Sequence, residues 1–158
     1  MSVRVQNEDF DVGIELASMR LVDGMKGEKN NTIGAIVNFI GLVRDINDGD
    51  HIQTLTLEHY PEMTQKALEK IETEAKARWH VIESRIIHRV GTLQPSDQIV
   101  FVAVASAHRN DAFSACEFIM DFLKTQAPFW KKETTNQGTR WVEAKVSDDE
   151  AQKRWLTR

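Results

Sequence analysis

The spacing of apolar residues along the chain changes repeatedly between the two-residue period of strands and the longer period of helices. Runs rich in Val, Ile and Phe, bounded by turn-forming residues, predict strands at 3–6, 33–43, 52–60, 81–90, 98–107, 129–134 and 139–145. The strand at 33–43 is expected to be mostly buried. The strand at 98–107 is nearly continuous in apolar and small residues, which predicts a central strand covered on both faces.

Helices are predicted at residues 15–22, 61–79 and 111–126. Pro61 opens the second helix at a position that needs no backbone donor, and Pro128 prevents the third from continuing. In the second helix, apolar residues recur every four positions and predict one buried stripe, while the charges between them are expected to face water. The stripe contains Met63, Ala67, Ile71, Ala75 and Trp79, and the charged face contains Glu62, Lys66, Glu69, Lys70, Glu72 and Lys76.

The connections between these elements indicate the fold class. Segments 24–31, 45–50 and 91–97 predict loops, and 135–138 predicts the turn of a hairpin. The strands at 81–90 and 98–107 are expected to pair antiparallel, and the polar tail from 147 is compatible with a last helical turn or a flexible end. Because strands and helices are mixed without regular βαβ order, we expect an α+β fold. It would be one domain over residues 1–158, with helices on a largely antiparallel sheet.

Composition narrows the class of protein. A chain of 158 residues with 41% hydrophobic and 28% charged residues is ordinary for a globular domain. No apolar run approaches the roughly 20 residues that a membrane span needs, and the N-terminal residues lack the features of a secretory signal. The sequence therefore predicts a cytoplasmic protein without a membrane segment.

Charge and cysteine content exclude further classes. A net charge of -4 argues against general nucleic-acid binding, so any anion site must be local. Cys116 cannot form an internal disulfide, and its apolar neighbours predict a buried structural thiol rather than a reactive one. No metal-ligand spacing, glycine-rich phosphate loop or nucleophile elbow is present, so neither a metal site nor a cofactor is expected.

The third predicted helix is flanked by cations, which make this region locally positive although the chain as a whole carries a net negative charge. His108 and Arg109 lie at its N-terminus, where unpaired N–H groups and the helix dipole favour an anion such as phosphate. Alternatively, Arg109 pairs with a surface carboxylate and His108 caps the preceding strand. The sequence leaves both interpretations open.

The other end of the same helix carries Lys124, and Lys131 and Lys132 follow the break at Pro128. Strand alternation predicts that Lys131 and Lys132 lie on opposite faces, so only one of them can share a pocket with Lys124. A lysine among other cations has a lowered pKa and can donate a proton or act as a nucleophile. Taken alone, Lys124 is also explained by the helix dipole.

Arg44 directly follows an apolar strand that contains Gly41. Its planar guanidinium suits phosphate or carboxylate, and a glycine in the strand lets a ligand or another backbone approach closely. The alternative is an ordinary surface arginine at a strand end.

Five blocks of residues, in order along nearly the whole chain, resemble the large, catalytic subunit of molybdopterin synthase. They are Phe39-x-Gly41-x-Val43-Arg44, Leu57-Glu58-His59-Tyr60, His88-Arg89-Val90-Gly91, Ser106-x-His108-Arg109, and Leu123-Lys124-x-x-x-Pro128-Phe129-Trp130-Lys131-Lys132-Glu133. The resemblance implies an α/β-hammerhead fold. It also implies a homodimer at the centre of a heterotetramer with a small ubiquitin-like sulfur carrier.

The resemblance further implies the reaction and its residues. Two sulfurs pass from the carrier's C-terminal Gly-Gly thiocarboxylate to cyclic pyranopterin monophosphate, giving the dithiolene of molybdopterin in molybdenum cofactor biosynthesis. The family's catalytic lysines match Lys124 and Lys131. Its substrate-binding positions match Phe39, Leu42, Val43, Arg44, His108, Arg109, Met120, Lys132 and Glu133. Leu42 is a departure, since some relatives have a basic residue there.

Helix geometry constrains how these residues can meet. Arg109 and Lys124 are fifteen residues apart on one predicted helix, which separates them by about 22 Å. We therefore hypothesise a composite pocket, with His108 and Arg109 from one protomer and Lys124, Lys131 and Arg44 from its two-fold mate. An alternative from another class is a non-catalytic dimeric module that binds a phosphorylated metabolite or a ubiquitin-like partner through the same cations.

Overall fold

Strand β7 (Gln98–Ser106) lies at the centre of the first of two sheets. In the computed structural model, which describes residues 2–22, 27–47, 49–142 and 146–156, this sheet has the order β1 (Val3–Gln6), β5 (Glu83–Arg89), β7 and β2 (Ala35–Leu42). β1 and β5 run parallel, and the other neighbours are antiparallel. The predicted antiparallel pairing of 81–90 with 98–107 is confirmed.

Alternate side chains of β7 enter two separate cores. One set packs with α2 (Pro61–Arg78) and α3 (Arg109–Gln126), and the other packs on the α1 side of the sheet, where α1 is Val12–Met19. The first set is Val100, Val102 and Val104, and the second is Phe101, Ala103 and Ala105. The prediction that this strand is covered on both faces is therefore confirmed.

The second sheet has the order β3 (Ile46–Asn47), β4 (Asp50–His59), β8 (Phe129–Thr135) and β9 (Gly138–Val142). The hairpin predicted around 135–138 is confirmed as far as Val142, and its last predicted residues, 143–145, lie outside the described part of the chain. The prediction of a loop throughout 91–97 was wrong, because β6 (Gly91–Leu93) pairs antiparallel with β4. Helices packed on largely antiparallel sheets confirm the predicted α+β class.

The first helix begins earlier than its apolar pattern predicts. Asp11 is the N-cap, and its carboxylate accepts a hydrogen bond from the backbone N–H of Ile14 at 2.9 Å. The helix ends at Met19 rather than at the predicted residue 22, and the predicted stop at 23–24, like the first three residues of the predicted loop at 24–31, lies outside the described residues. Across the described ranges, no helix is both long and apolar enough to span a membrane.

The buried face of α2 corrects the predicted stripe. A spacing of four residues advances about 400° around a helix, so a strict four-residue series drifts off the buried face. Met63, the first member of the predicted stripe, is 61% exposed. The buried residues instead recur at spacings of four and three, as in Thr64, Leu68, Ile71 and Ala75, with Glu72 beside Ile71 on the same face.

Glu72 was expected to face water and is buried instead. Its carboxylate accepts hydrogen bonds from the hydroxyls of Ser2 at 2.9 Å and Ser84 at 2.6 Å. These donors come from the first and fifth strand regions and replace solvent, which lowers the free-energy cost of burying the carboxylate. The pattern of residues along the helix cannot predict these two donors, because both are distant from Glu72 in sequence.

Strand β2 was predicted to be mostly buried, and this prediction was wrong. Within the described ranges it is the outer strand of its sheet and pairs only with β7. Phe39, Ile40 and Leu42 are consequently exposed, and Phe113 of α3 is exposed beside Phe39. We call these four residues the apolar edge.

The polar C-terminal segment is helical. α4 (Val146–Lys153) packs on α3, and Trp155 behind it makes edge-to-face contacts with Trp79 and Phe118. The indole Nε1 of Trp155 donates a hydrogen bond to Asp121 at 2.7 Å. Trp155 therefore attaches the C-terminal segment to the core between α2 and α3.

Replacing Trp155 with alanine is expected to lower the free energy of unfolding by about 3 kcal/mol, because it removes a buried indole and its hydrogen bond. Trp155 is 4% exposed and the adjacent Leu156 is 65% exposed, so Leu156→Ala is a matched control. That control is expected to cost less than about 0.5 kcal/mol. Urea unfolding measures both, and equal effects would contradict an anchoring role for Trp155.

Candidate active site

The break between α3 and β8 brings Lys124 and Lys131 to the same place. α3 ends at Gln126, the backbone of Ala127 is extended, and Pro128 leads at once into β8. Lys124 lies in the last turn of the helix and Lys131 is the third residue of the strand. Both lysines line two adjoining cavities of about 390 Å³ and 280 Å³.

The two cavities differ in their walls. The larger, which we call the apolar cavity, is enclosed mainly by hydrophobic side chains from β2, β7, α3 and Phe129. The smaller, which we call the polar cavity, adds Asn47, Glu133 and Asp148 to its lining. Of the predicted site residues, Phe39, Leu42, Arg44, Met120, Lys124 and Lys131 line the apolar cavity. Leu42, Val43, Arg44, Lys124, Lys131 and Glu133 line the polar cavity.

Lys131 and Lys132 lie on opposite faces of β8, as strand alternation predicts. The ammonium of Lys132 is 3.9 Å from a carboxylate oxygen of Glu58 and 5.5 Å from the ring centroid of Trp141. Lys132 contributes to neither cavity wall. Lys131 is thus the lysine that shares a cavity with Lys124.

His108 and Arg109 lie at the far end of α3, away from both cavities. Both are exposed, and neither makes a side-chain hydrogen bond or ion pair with any other described residue. Both Arg109 and Lys124 belong to α3, whose rise of about 1.5 Å per residue places them about 22 Å apart. Next to His108 in sequence, Ala107 packs closely against the backbone of Gly34. A Cβ on Gly34 would lie 2.0 Å from the carbonyl oxygen of Ala107, so a larger residue does not fit at position 34.

Arg44 is held by a neutral amide rather than by a carboxylate. Its Nη2 donates to Asn47 Oδ1 at 3.3 Å, while Asn47 Nδ2 donates to buried Glu133. Arg140 donates to Glu133 Oε2 at 3.1 Å and to Asp50 Oδ2 at 2.6 Å. Because Arg140 neutralises the Glu133 carboxylate, the positive charge of Arg44 remains available to an anion in the cavity.

His88 lines the apolar cavity and was not among the predicted site residues. Its ring is 7% exposed and stacks on Phe129, with ring centroids 3.9 Å apart and an interplanar angle of 18°. His88 belongs to one of the motifs that resemble the family, but the resemblance gives it no role. One signal was available, because His88 follows Ile86 in the two-residue period of a buried strand.

The protonation state of His88 follows from its surroundings. Nδ1 lies 2.8 Å from the carbonyl oxygen of Arg89, so Nδ1 carries the proton and donates it. Burial lowers the pKa of His88 to about 3; the hydrogen bond to Arg89 opposes this shift, and the charges of Lys131 and Lys124 add to it. The imidazole is therefore neutral at physiological pH.

Cys116 is a structural thiol, as predicted. It is 4% exposed, and its Sγ donates to the carbonyl oxygen of Val102 at 3.8 Å. Burial raises the pKa of Cys116 to about 12, so the thiolate is scarcely populated. Across the described ranges, no three side chains of the His, Cys, Asp or Glu types are placed to hold a metal ion.

Acid is expected to destabilise the fold partly through His88. Its pKa is about 3 in the folded chain against an ordinary value of 6.5, so between these values the unfolded chain binds the extra proton. Stability from this source is complete above about pH 6.5 and is lost as the pH falls towards 3. His88→Gln should therefore flatten the fall in melting temperature between about pH 7 and pH 4.

His51→Gln, at an exposed position, is the control for that series. Thermal melting followed by circular dichroism over the pH range measures both variants. The interpretation is wrong if His88→Gln follows the same slope as the unmodified chain.

Comparison with known proteins identifies the family. Residues 5–126 match the family model described as MoaE protein. A molybdopterin synthase catalytic subunit from Ralstonia nicotianae is 56% identical over 154 residues, which cover 98% of this chain and 84% of that protein. The solved structure of the molybdopterin biosynthesis MoaE protein from Burkholderia ambifaria has a TM-score of 0.81 and 51% identity, covering 99% of both chains.

A more distant structure shares the fold. It is a protein–protein complex of subunits 1 and 2 of the molybdopterin-converting factor from Helicobacter pylori, with a TM-score of 0.71 and 19% identity over 90% of this chain and 91% of that one. The resemblance inferred from the sequence motifs is confirmed by the family model and the closer relatives: the chain belongs to the MoaE family of molybdopterin synthase catalytic subunits.

Proposed function

We propose that this chain transfers sulfur to cyclic pyranopterin monophosphate and so forms the dithiolene of molybdopterin. Membership of the family supports a role in molybdenum cofactor biosynthesis. The observation that carries the proposal is the convergence of Lys124, Lys131 and Arg44 on two adjoining cavities, one with mainly apolar walls and one with a more polar lining. Such a site suits a ligand that combines a phosphate with a planar ring.

Within one chain, Arg44 is the cation that we propose to bind the phosphate. Its guanidinium can donate two parallel hydrogen bonds to phosphate oxygens, and the bridging amide of Asn47 holds it without neutralising it. Leu42 lines both cavities. Some relatives have a basic residue at this position, but leucine is uncharged and contributes no binding charge for the phosphate. Phe39 and Met120 would contact the apolar parts of the ligand.

Lys124 and Lys131 would act on the reacting atoms. The thiocarboxylate sulfur would first bond to the substrate, and water would then add to the acyl carbon, so that the carbon–sulfur bond breaks and the carrier is left with a carboxylate. Negative charge develops on the acyl oxygen as the water adds, and an ammonium group in a partly apolar cavity stabilises that charge. The same ammonium groups can donate protons to leaving oxygens of the substrate. In our proposal these two lysines therefore carry most of the rate enhancement.

The sulfur donor would be a small ubiquitin-like carrier with a C-terminal Gly-Gly thiocarboxylate. The two-subunit complex from Helicobacter pylori, which has the same fold, supports a small-subunit partner. A Gly-Gly tail has no side chains, so an extended tail can enter a cavity that a bulkier peptide could not. The polar cavity is the entrance that we propose for this tail.

A second copy of the chain would complete the site. The apolar edge leaves three large side chains of an outer strand, together with Phe113, exposed to water, which is typical of a surface covered by another subunit. The exposed His108 and Arg109 have no partner within the described part of their own chain. We therefore propose that they hold the phosphate in the cavity of the two-fold mate, within a heterotetramer containing two carriers.

Lys124→Ala should lower kcat at saturating substrate by about 100-fold or more, because it removes an oxyanion stabiliser and proton donor. The assay incubates the chain with thiocarboxylated carrier and cyclic pyranopterin monophosphate and detects the dithiolene product. Lys70→Ala, on the exposed face of α2, is the matched control and should retain full turnover.

Turnover by Lys124→Ala at the unmodified rate, with only KM raised, would contradict the catalytic assignment. It would favour the non-catalytic binding module considered from the sequence. The absence of product from the unmodified chain with a competent carrier would reject the proposed function as a whole.

Mixed dimers test the composite pocket. A Lys124→Ala subunit paired with an Arg109→Ala subunit forms one pocket that lacks both residues and one that retains both. Activity in verified mixed dimers should therefore recover to about half of the unmodified value, although each variant alone is inactive. No recovery would reject the sharing of the pocket between protomers.

A further inference from the structure

His88 is held by contacts on several sides in the wall of the apolar cavity. It pairs with Val5 of β1 on one side and with Val100 of β7 on the other, so its backbone lies inside the first sheet. Its ring is held on one face by Phe129 and at Nδ1 by the carbonyl oxygen of Arg89. The orientation of the imidazole is therefore set before any ligand binds.

This arrangement determines which hydrogen-bonding group remains for a ligand. Because Nδ1 carries the proton, Nε2 has a free lone pair and can only accept a hydrogen bond. Nε2 lies on the part of the ring farthest from the strand backbone, and His88 forms part of the cavity wall. The wall thus combines an acceptor with the cations Lys124 and Lys131.

The neighbouring charges keep this acceptor from becoming a donor. Lys131, Lys124 and His59 each disfavour a positive charge on His88, and burial disfavours it more strongly still. A phosphate oxygen near Nε2 would meet a lone pair rather than a proton, so an anion is repelled from this part of the wall. The phosphate is consequently directed towards the cations, and the opposite part of the ligand towards His88.

We propose that His88 is a specificity-determining residue whose Nε2 accepts a hydrogen bond from an N–H group on the heterocyclic ring of the ligand. The ligand class that fits is a planar nitrogen heterocycle with a ring N–H donor, such as a pterin. This inference rests on the proposed function, because that function supplies the phosphorylated pterin. It adds a subsite that orients the ring relative to the phosphate.

Two substitutions separate this role from a structural one. In His88→Asn the side-chain amide nitrogen takes the place of Nδ1, so the hydrogen bond to Arg89 is kept and the acceptor at Nε2 is lost. In His88→Gln the amide reaches the place of Nε2, and its oxygen restores an acceptor there. A purely structural His88 would be replaced better by Asn than by Gln.

The experiment measures binding to the full chain by calorimetry at about pH 7.5, where the histidine is neutral. One probe is an unphosphorylated pterin and the other is inorganic phosphate. His88→Asn should weaken pterin binding about tenfold, because it leaves a ring N–H without its acceptor. It should change phosphate binding less than about twofold, and His88→Gln should recover most of the pterin affinity.

Several results would overturn the proposal. They are pterin binding by His88→Asn at the unmodified affinity, equal weakening of both probes, or no binding of pterin by the unmodified chain. The dithiolene assay on the unmodified chain distinguishes the two levels of inference. If the unmodified chain forms product and His88→Asn binds pterin with unchanged affinity, the subsite alone is rejected. If His88→Asn selectively loses pterin binding but the unmodified chain forms no product, the sulfur transfer is rejected and the subsite is retained.

Discussion

The arrangement of the site depends on the abrupt end of α3 at Ala127 and Pro128. Proline lacks an N–H and cannot extend the helix, so the chain leaves the last turn and enters β8 within two residues. The pairing of Lys131 with Leu57 of β4 then fixes the position of Lys131 along β8 relative to the C-terminal end of α3. Two ammonium groups that repel one another are thereby held around one cavity, at a cost that burial of the α3 face against β7 offsets.

The remaining charges are arranged so that the positive potential stays in the cavity. The Glu133 carboxylate, which Asn47 links to Arg44, is already engaged by Arg140. His88 contributes a polar atom without contributing charge. A ligand with an anionic end and a neutral ring therefore meets two chemically distinct halves of one space.

Features governed by nearby residues could be predicted from the sequence, and features governed by strand order could not. The continuous apolar run of β7, the stop at Pro128 and the opposite faces of Lys131 and Lys132 are all local properties. The edge position of β2 depends instead on which strands pair.

Buried polar residues show the same limit. Glu72 is buried because Ser2, 70 residues away in sequence, and Ser84 donate to it. His88 belongs to the site because Phe129, from a different sheet, stacks on it. Neither contact can be predicted from the spacing of neighbouring residues. His88 does belong to one of the family motifs, but the motif gave it no role.

The burial of Cys116 has a consequence for how sulfur can move. The only thiol of the chain is protonated and enclosed, so it can neither attack a sulfur donor nor carry a persulfide between two partners. Under the proposed function, sulfur would therefore pass directly from its donor to its acceptor at the lysine-lined cavities, with the protein supplying charge and shape and no covalent relay through its own cysteine.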